Sequence, residues 1–346
     1  MHVLITGGAG FIGSNLARRF IARGARVTLI DNHSRARLLG DGRPGAPDPG
    51  RWRGLDRVEG IRVVDGDVCD AARLLAGLPA VSATIHCAGQ VGIGASLADP
   101  VEDARNNVIG TVALIEALAG RDDRGPLVLF SSNKVYGDAV NRFVAELPGG
   151  RLGLTGRWEQ GISELFPVAD SGLTPYGCSK RAAEGYVLDG SRRHGFRGHV
   201  LRCSCIYGPG QSGVEDQGWV SHVVRSRSGG RPVRVFGDGR QVRDLLHVDD
   251  ACALVELLVT RDVPGGIWNA GGGPGFARSF LDVVNHPSLD AAPAANLEFH
   301  PPRMFDQRVY VTDSARLREA VGWQPAVSPD AGISGLVAEC SRPSHP

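Results

Sequence analysis

The sequence predicts an α/β fold: a doubly wound parallel sheet with a smaller mixed α/β lobe on its C-terminal side. Apolar runs of strand length alternate with helical patterns through the first two-thirds of the chain. The runs are apolar throughout rather than alternating, as strands covered on both faces are. A glycine-rich turn joins the first run to the first helix. HVLIT (2–6), RVTLI (26–30), IRVVDGD (61–67), ATIHCAG (83–89), LVLFSS (127–132) and HVLRCS (199–204) read as strands, with helices at 12–23, 70–77, 99–119 and 175–194. Residues 32–55, rich in Gly, Pro and Arg, read as a surface insertion. A second excursion, 138–173, lies between a strand end and a helix, where binding loops are built. Beyond 205 the pattern is mixed: a helix near 216–228, strands at 233–236 and 243–247, a helix at 249–260 and a strand at 267–270. The expected division is a large domain over 1–204, a smaller lobe mainly over 205–337 with some segments returning to the first, and a frayed tail at 338–346.

Composition narrows the function classes. With 346 residues and 42% hydrophobic residues, the chain can bury a substantial core. A net charge of +1 gives no global field toward nucleic acid or a membrane surface, so an anionic ligand must be held by locally placed arginines. No run approaches the length of a membrane span, and the first apolar run reads at once as a strand rather than a leader. The seven cysteines lack paired zinc-like spacing and suggest no disulfide framework, so a reducing cytoplasm is the expected compartment. The ten histidines show no HxH or HxxxH grouping, and no metal is expected. Only Lys134 and Lys180 are lysines among the 38 basic side chains; the bias toward arginine fits a coding preference, and it singles out two positions as candidates for needing an ammonium.

TGGAGFIGS (6–14) follows the first strand and opens the first helix. Gly7, Gly10 and Gly13 let the turn close, let backbone amides approach a pyrophosphate and let helix pack on strand. Phe11 and Ile12 supply the first helical amides. Asp31 ends the next strand with Asn32 behind it, placed to accept from an adenosine ribose and to repel a 2′-phosphate. The large domain is therefore expected to be of Rossmann type and to bind NAD in preference to NADP. Arg35 and Arg37 lie close by and offer a site for that phosphate, which leaves NADP open. Asp67 and Val68 end the third strand; adenine contact and a plain strand-end role both remain open.

TPYGCSK (174–180) begins a helix with Pro175 in its first turn, so Tyr176 and Lys180 share a face. An ammonium near a phenol favours phenolate, which suits the phenol to moving a hydroxyl proton. The same lysine has the reach to hydrogen-bond a nicotinamide ribose. Ser132 ends the fifth strand, where its hydroxyl can donate to a substrate oxygen becoming a carbonyl.

The glycine turn, the serine strand end and YxxxK together resemble the extended short-chain dehydrogenase/reductase family, the sugar-nucleotide epimerases and dehydratases. NNVIGT (106–111), LRCSCIYGPG (201–210), FGDGRQVRDLLHVDD (236–250), WNAGGG (268–273) and DQRVYV (306–311) extend the resemblance over nearly the whole chain. It implies Tyr176 as base, Lys180 as ribose ligand and Ser132 as hydroxyl donor. It also implies Asn107 as a helix or water-relay position, with a structural asparagine the alternative, and places Ala88 and Cys203 in the cofactor pocket. Helices 99–119 and 175–194 would pair with those of a second copy, giving a homodimer.

Dehydratases of this family carry an Asp-Glu pair directly after the strand-end hydroxyl. Here Asn133 and Lys134 stand there, so elimination lacks its acid/base pair. SNKVYGD, with Arg157, Trp158 and Glu159 in the long insertion and EDQGW at 215–219, is similar to the CDP-paratose 2-epimerase (CDP-tyvelose 2-epimerase) branch. Ser132 stands where that branch commonly has threonine, and Phe305 where glycine precedes DQR. Asn133, Lys134, Arg243 and Arg308 are the candidate substrate ligands. The two guanidinium forks suit a pyrophosphate, with a surface salt bridge the alternative for either, and Lys134 reads equally as a solvated loop lysine. The expected reaction is epimerisation at C2 by transient oxidation of a ring hydroxyl, with C4 or another nucleotide-linked hydroxyl as alternatives. A reading from another class is an NAD-sensing binding protein without turnover.

Overall fold

The computed structural model describes residues 1–35, 52 and 54–341. Seven strands, β1 (His2–Thr6), β2 (Arg26–Asp31), β3 (Ile61–Asp65), β4 (Ala83–His86), β5 (Leu127–Ser132), β6 (Gly198–Cys203) and β7 (Gly266–Ala270), form one sheet of order β7-β6-β5-β4-β1-β2-β3. β1 lies parallel to both β2 and β4, with Val3 opposite Val27 on one side and Ala83 on the other. β2–β3 and β4–β5 are parallel as well. Every residue of β1, β4, β5 and β6 is buried, which is why these strands read as unbroken apolar runs. The strand order reverses between β1 and β4, the switch point at which parallel sheets open a crevice beyond their carboxyl ends.

The helix Phe11–Ala22 turns Leu16, Ala17 and Phe20 inward. A core of Leu4, Ile30, Leu74, Leu114, Leu118, Leu129 and Val187 joins strands to helices. The predicted helix 175–194 spans Pro175–His194: Pro175 supplies the fixed φ of the first turn, and the Thr174 hydroxyl accepts from the Gly177 amide at 3.3 Å. The predicted helix 99–119 is three pieces. An α-turn Pro100–Ala104 and an α-helix Gly110–Ala119 flank a π-helical turn, Arg105–Ile109, that carries Asn107.

The chain divides into two compact units, 1–131 with 178–201 and 252–267, and 132–177 with 202–251 and 268 onward. It therefore passes from one unit to the other five times, and 252–267 is a segment of the C-terminal half that belongs to the first unit. Lys180 belongs to the first unit, Ser132 and Tyr176 to the second.

In the second unit the strand Val242–His247 pairs antiparallel with Ala277–Ser279 and parallel with Val309–Tyr310 and Cys205–Tyr207. The strand Val233–Phe236 pairs with Leu297–His300. The excursion 138–173 contains a hairpin, Val144–Glu146 with Leu152–Leu154. Val135, Tyr136, Trp158, Phe166 and Tyr310 form one core; Tyr207, Val223, Leu245, Ile333 and Leu336 form another. The helix predicted from 216 starts at Trp219. The tail expected from 338 begins inside the helix Pro329–Cys340, and 342–346 lie outside the described residues. No helix among the described residues is long and apolar enough to cross a membrane.

Candidate active site

The glycine turn sits at the carboxyl end of β1. Gly7 adopts φ +70°, and a Cβ there would come 2.6 Å from the Ala88 backbone nitrogen. A Cβ on Gly13 would come 2.2 Å from the Gly7 carbonyl and 2.9 Å from Gly8 Cα. Both positions require glycine because backbone, which cannot rotate away, fills the space. Gly10 caps the helix Phe11–Ala22 without a side-chain bond and no acid lies in its first turn, so no side chain of the helix itself competes for the amides of Phe11 and Ile12 at its positive end. Asp31 holds this turn: its Oδ2 accepts from the Ala9 amide at 2.9 Å and its Oδ1 from the His33 amide at 2.7 Å. Asn32 donates to Asp67 Oδ2 at 3.0 Å, while Asp67 Oδ1 caps the turn Val68–Asp70 through Cys69. Burial works to raise the Asp67 carboxyl, but the Cys69 amide, Asn32 and the Arg105 cation outweigh it and hold it below its ordinary range. Val68 is buried beneath that turn. Arg35 lies among the described residues; Arg37 lies outside them.

Ala88, at the end of β4, donates its amide to Thr6 Oγ1 at 3.4 Å. Beside it, Lys180 is 4% exposed and donates to the Phe130 carbonyl at 3.1 Å. One turn on, Glu184 is also buried and accepts from the Ser131 hydroxyl at 2.5 Å. Asn107, in its π-turn, has its amide nitrogen within hydrogen-bond range of Gln90 O, Asp103 Oδ1 and Ser179 Oγ. Its main-chain carbonyl accepts from Thr111 Oγ1 at 2.6 Å. Thr111 has one proton and spends it there, so it accepts from His86 Nε2 at 3.0 Å, and His86 Nδ1 accepts from Thr6 Oγ1 at 2.7 Å. Burial, with the Lys180 cation adding to it, brings the His86 imidazole down to about 3, so it stays neutral. Sequence reasoning did not find this chain, because its members lie 25 and 80 residues apart.

Ser132 ends β5 and caps the 3₁₀ segment after it, accepting from the Lys134 amide and donating to Asn133 Oδ1, both at 3.2 Å. Gly137 kinks that segment at φ +59°, with Ala169 Cβ and the Gly172 carbonyl where its own side chain would stand. Lys134 Nζ reaches Asp306 Oδ1 at 2.9 Å, and Arg243 Nη2 reaches the same oxygen at 2.9 Å. Burial pushes the Asp306 carboxyl up, but these two cations prevail and hold it well below the usual range. In place of a solvated side chain, Lys134 is half-buried in an ion pair with Asp306.

Arg243 is buried on its strand; Arg308 is exposed, paired with Asp238 at 3.0 Å. The structure thus brings Ser132, Asn133, Lys134 and Arg243 together with the 306–307 segment and leaves the Arg308 guanidinium outside that group. Asp306 and Gln307 were missed as site residues although the DQR string was noticed. Tyr176 is 8% exposed on the first turn of its helix, on the face that Lys180 continues. Cys203 ends β6 and is buried; Cys205, two residues on, takes a contact from Trp219 Nε1, and burial raises its thiol.

Residues 3–271 match the model of the NAD dependent epimerase/dehydratase family. The chain belongs to that family. It is 33% identical to the CDP-paratose 2-epimerase of Salmonella typhi, over 97% of this chain and 98% of the relative. It is 31% identical to the UDP-glucose 4-epimerase of Mycolicibacterium smegmatis over 97% of each. Among solved structures, MoeE5 in complex with UDP-glucuronic acid and NAD is similar at 28% identity and a TM-score of 0.77, covering 98% of both chains. As a member of this epimerase/dehydratase family the chain is an enzyme, and its cofactor is NAD. The uncapped helix end, the two glycines that no side chain can replace, and Asp31 fit that dinucleotide. Gly13→Ala is accordingly expected to weaken NAD binding at least about tenfold, roughly 1.4 kcal/mol. Calorimetric titration with NAD checks it; wild-type affinity would mean the turn does not hold the pyrophosphate.

Proposed function

We propose that the protein is a nucleotide-sugar 2-epimerase of the CDP-paratose type. One observation carries the reading: the two positions after Ser132 hold Asn133 and Lys134, committed to Gln307 and Asp306, and neither is a carboxylate. Water elimination needs an acid and a base there. Reversible oxidation needs only a proton shuttle and a hydride acceptor. Identity to a relative named as a CDP-paratose 2-epimerase over nearly the whole chain supports the same reading.

NAD, when bound, supplies reversible hydride acceptance. The protein's own residues do the rest. Tyr176, as phenolate, takes the ring hydroxyl's proton and later returns it, while the Lys180 ammonium favours the phenolate and would hold the nicotinamide ribose. Ser132 hydrogen-bonds the oxygen that alternates between hydroxyl and ketone. The ketone turns over before reduction from its other face. Arg243 and Lys134, sharing the one Asp306 carboxylate, leave the second unit a half-buried cluster with a net positive charge suited to the substrate's diphosphate. Asn107 positions the polar network around Lys180. A cytoplasmic homodimer completes the reading: none of the seven cysteines is in a disulfide, and Ile109 and Tyr186 are 55% and 44% exposed on the helices expected to pair.

With CDP-paratose in D₂O, the 2-epimer is expected to form with carbon 2 unlabelled and with no net change in NAD absorbance, followed by NMR and optical spectroscopy. A deuterium at that carbon would mean deprotonation beside a ketone. Turnover of a C4 epimer instead would favour the alternative.

A further inference from the structure

One turn of the second unit, with Met304 and Phe305 at its tip between Arg303 and Asp306, carries two apolar side chains where turns are ordinarily polar or glycine. Phe305 has φ +54°. A bulky side chain enters that left-handed region only at a cost, and glycine would enter it freely. Both flanks of the turn are tied down. Arg303 Nη2 donates to the Glu215 carbonyl at 3.1 Å, and Asn141 Nδ2 donates to the Asp306 carbonyl at 2.9 Å. The tip is open: Met304 is 70% exposed and Phe305 38%. Phe305 belongs to neither core described for the second unit, so its ring is held in a strained place for some use other than filling a core.

The neighbours of the turn lie in order along a ligand path. Gln307 is bonded to Asn133, the residue after Ser132. Asp306 is bonded to Lys134 and Arg243, the two cations suited to a diphosphate. The Arg303 guanidinium lies 4.2 Å over the Phe236 ring, and that ring stacks on His300 at 5.5 Å. From 307 back to 303 the segment thus runs from the reacting end, past the cations, to an aromatic and cationic end. A diphosphate on Lys134 and Arg243 with its sugar toward Ser132 has its nucleoside toward 305–303.

We propose that Phe305 is a specificity-determining residue whose ring packs on the base of the nucleoside diphosphate. This rests on the epimerase reading, which supplies the diphosphate and the direction of the sugar. A flat apolar ring suits the π-face of a base and does not read its edge. Phe305 therefore favours a nucleoside diphosphate over a bare diphosphate, and cytosine and uracil gain alike from it. The anchored turn carries the ring in place before the ligand arrives, which lowers the ordering cost of binding.

The test is calorimetric titration of the full-length, NAD-loaded protein with CDP, UDP and inorganic pyrophosphate. Phe305→Gly and Phe305→Ala are each expected to bind CDP and UDP about tenfold more weakly than wild type, with pyrophosphate changed less than about twofold. Phe305→Tyr keeps the ring and should retain wild-type affinity for all three. With CDP-paratose, the two truncations should raise KM about tenfold and leave kcat within about twofold, because the base is remote from the reacting carbon. Phe305→Gly should also melt above Phe305→Ala, since only glycine takes this φ freely. Unchanged nucleotide affinity, an equal loss for pyrophosphate, or the reverse order of melting would each overturn the proposal. If wild type binds CDP or UDP but leaves CDP-paratose unchanged, the epimerase reading fails by itself, and the titrations still decide the role of Phe305.

Discussion

Tyr176→Phe is expected to lower turnover of CDP-paratose about a thousandfold, the middle of the range for removing a general acid/base and roughly 4 kcal/mol of barrier. The ring stays and only the hydroxyl goes, from a side chain that is 8% exposed, so the fold should tolerate the change. NAD retention should be unaffected, because the glycine turn, Asp31 and Lys180 are untouched. Stopped-assay NMR for turnover and calorimetry for NAD separate the two effects. The contrast matters for the class of protein. A cofactor-sensing binding protein would lose nothing on this substitution, whereas an epimerase that still binds NAD but no longer turns over identifies Tyr176 as the shuttle.

Asp306→Ala is expected to destabilise the protein by roughly 3 kcal/mol, the lower end of the cost of stripping one partner from a buried ion pair. The lower end applies because the Asp306 side chain keeps 30% exposure. The residues left behind are less favoured: Lys134 keeps 15% and Arg243 9%, and both cations now lean on that one carboxylate oxygen. The pH dependence has a definite sign. The Asp306 carboxyl sits below its ordinary 3.8 when folded, so its contribution is complete above that pH and is lost as pH falls toward the folded value. The difference in thermal midpoint between Asp306→Ala and wild type should therefore shrink below pH 3.8. His86 works in the same acid direction over a higher window. Held neutral down to about 3 against an ordinary 6.5, it leaves the unfolded chain binding a proton that the folded chain does not. Wild-type stability should decline from about pH 6.5 downward for that reason. Scanning calorimetry from pH 7 to 3 reads both effects, and a gap for Asp306→Ala that widens with acid would reverse the assignment of charge.

The six strands read from apolar runs correspond to β1 through β6. β1, β4, β5 and β6 are buried on both faces, which leaves an unmistakable trace, and the β-branched run of β3 is legible although none of its residues is fully buried. Helix Pro175–His194 was legible to the residue, since proline at its first position and threonine before it are local signals. What escaped was short or distant. Val309–Tyr310 is two residues long, and Leu297–His300 has no fully buried position, so neither shows a hydrophobic period. The Asn107 carbonyl in its π-turn is linked through Thr111 to His86 on β4 and Thr6 on β1, partners that nothing in NNVIGT announces. The site was half legible for the same reason. Ser132, Tyr176 and Lys180 stand at strand and helix ends that their own neighbours define. Asp306 and Gln307 take their meaning from Lys134 and Asn133, more than 170 residues earlier, and a pairing over that separation has no local signature.

The five crossings between the two units bear on how the polypeptide is made. β7, the edge strand beside β6, runs from Gly266 to Ala270, and the preceding helix starts at Val248. At ribosomal speeds of about 5–20 residues per second, the first unit's sheet has to wait several seconds after β6 emerges before its last strand is available. Until then β6 presents an uncovered edge, the kind of surface that recruits chaperones or stray strands. A gene truncated near residue 204 would freeze the chain in that unfinished state.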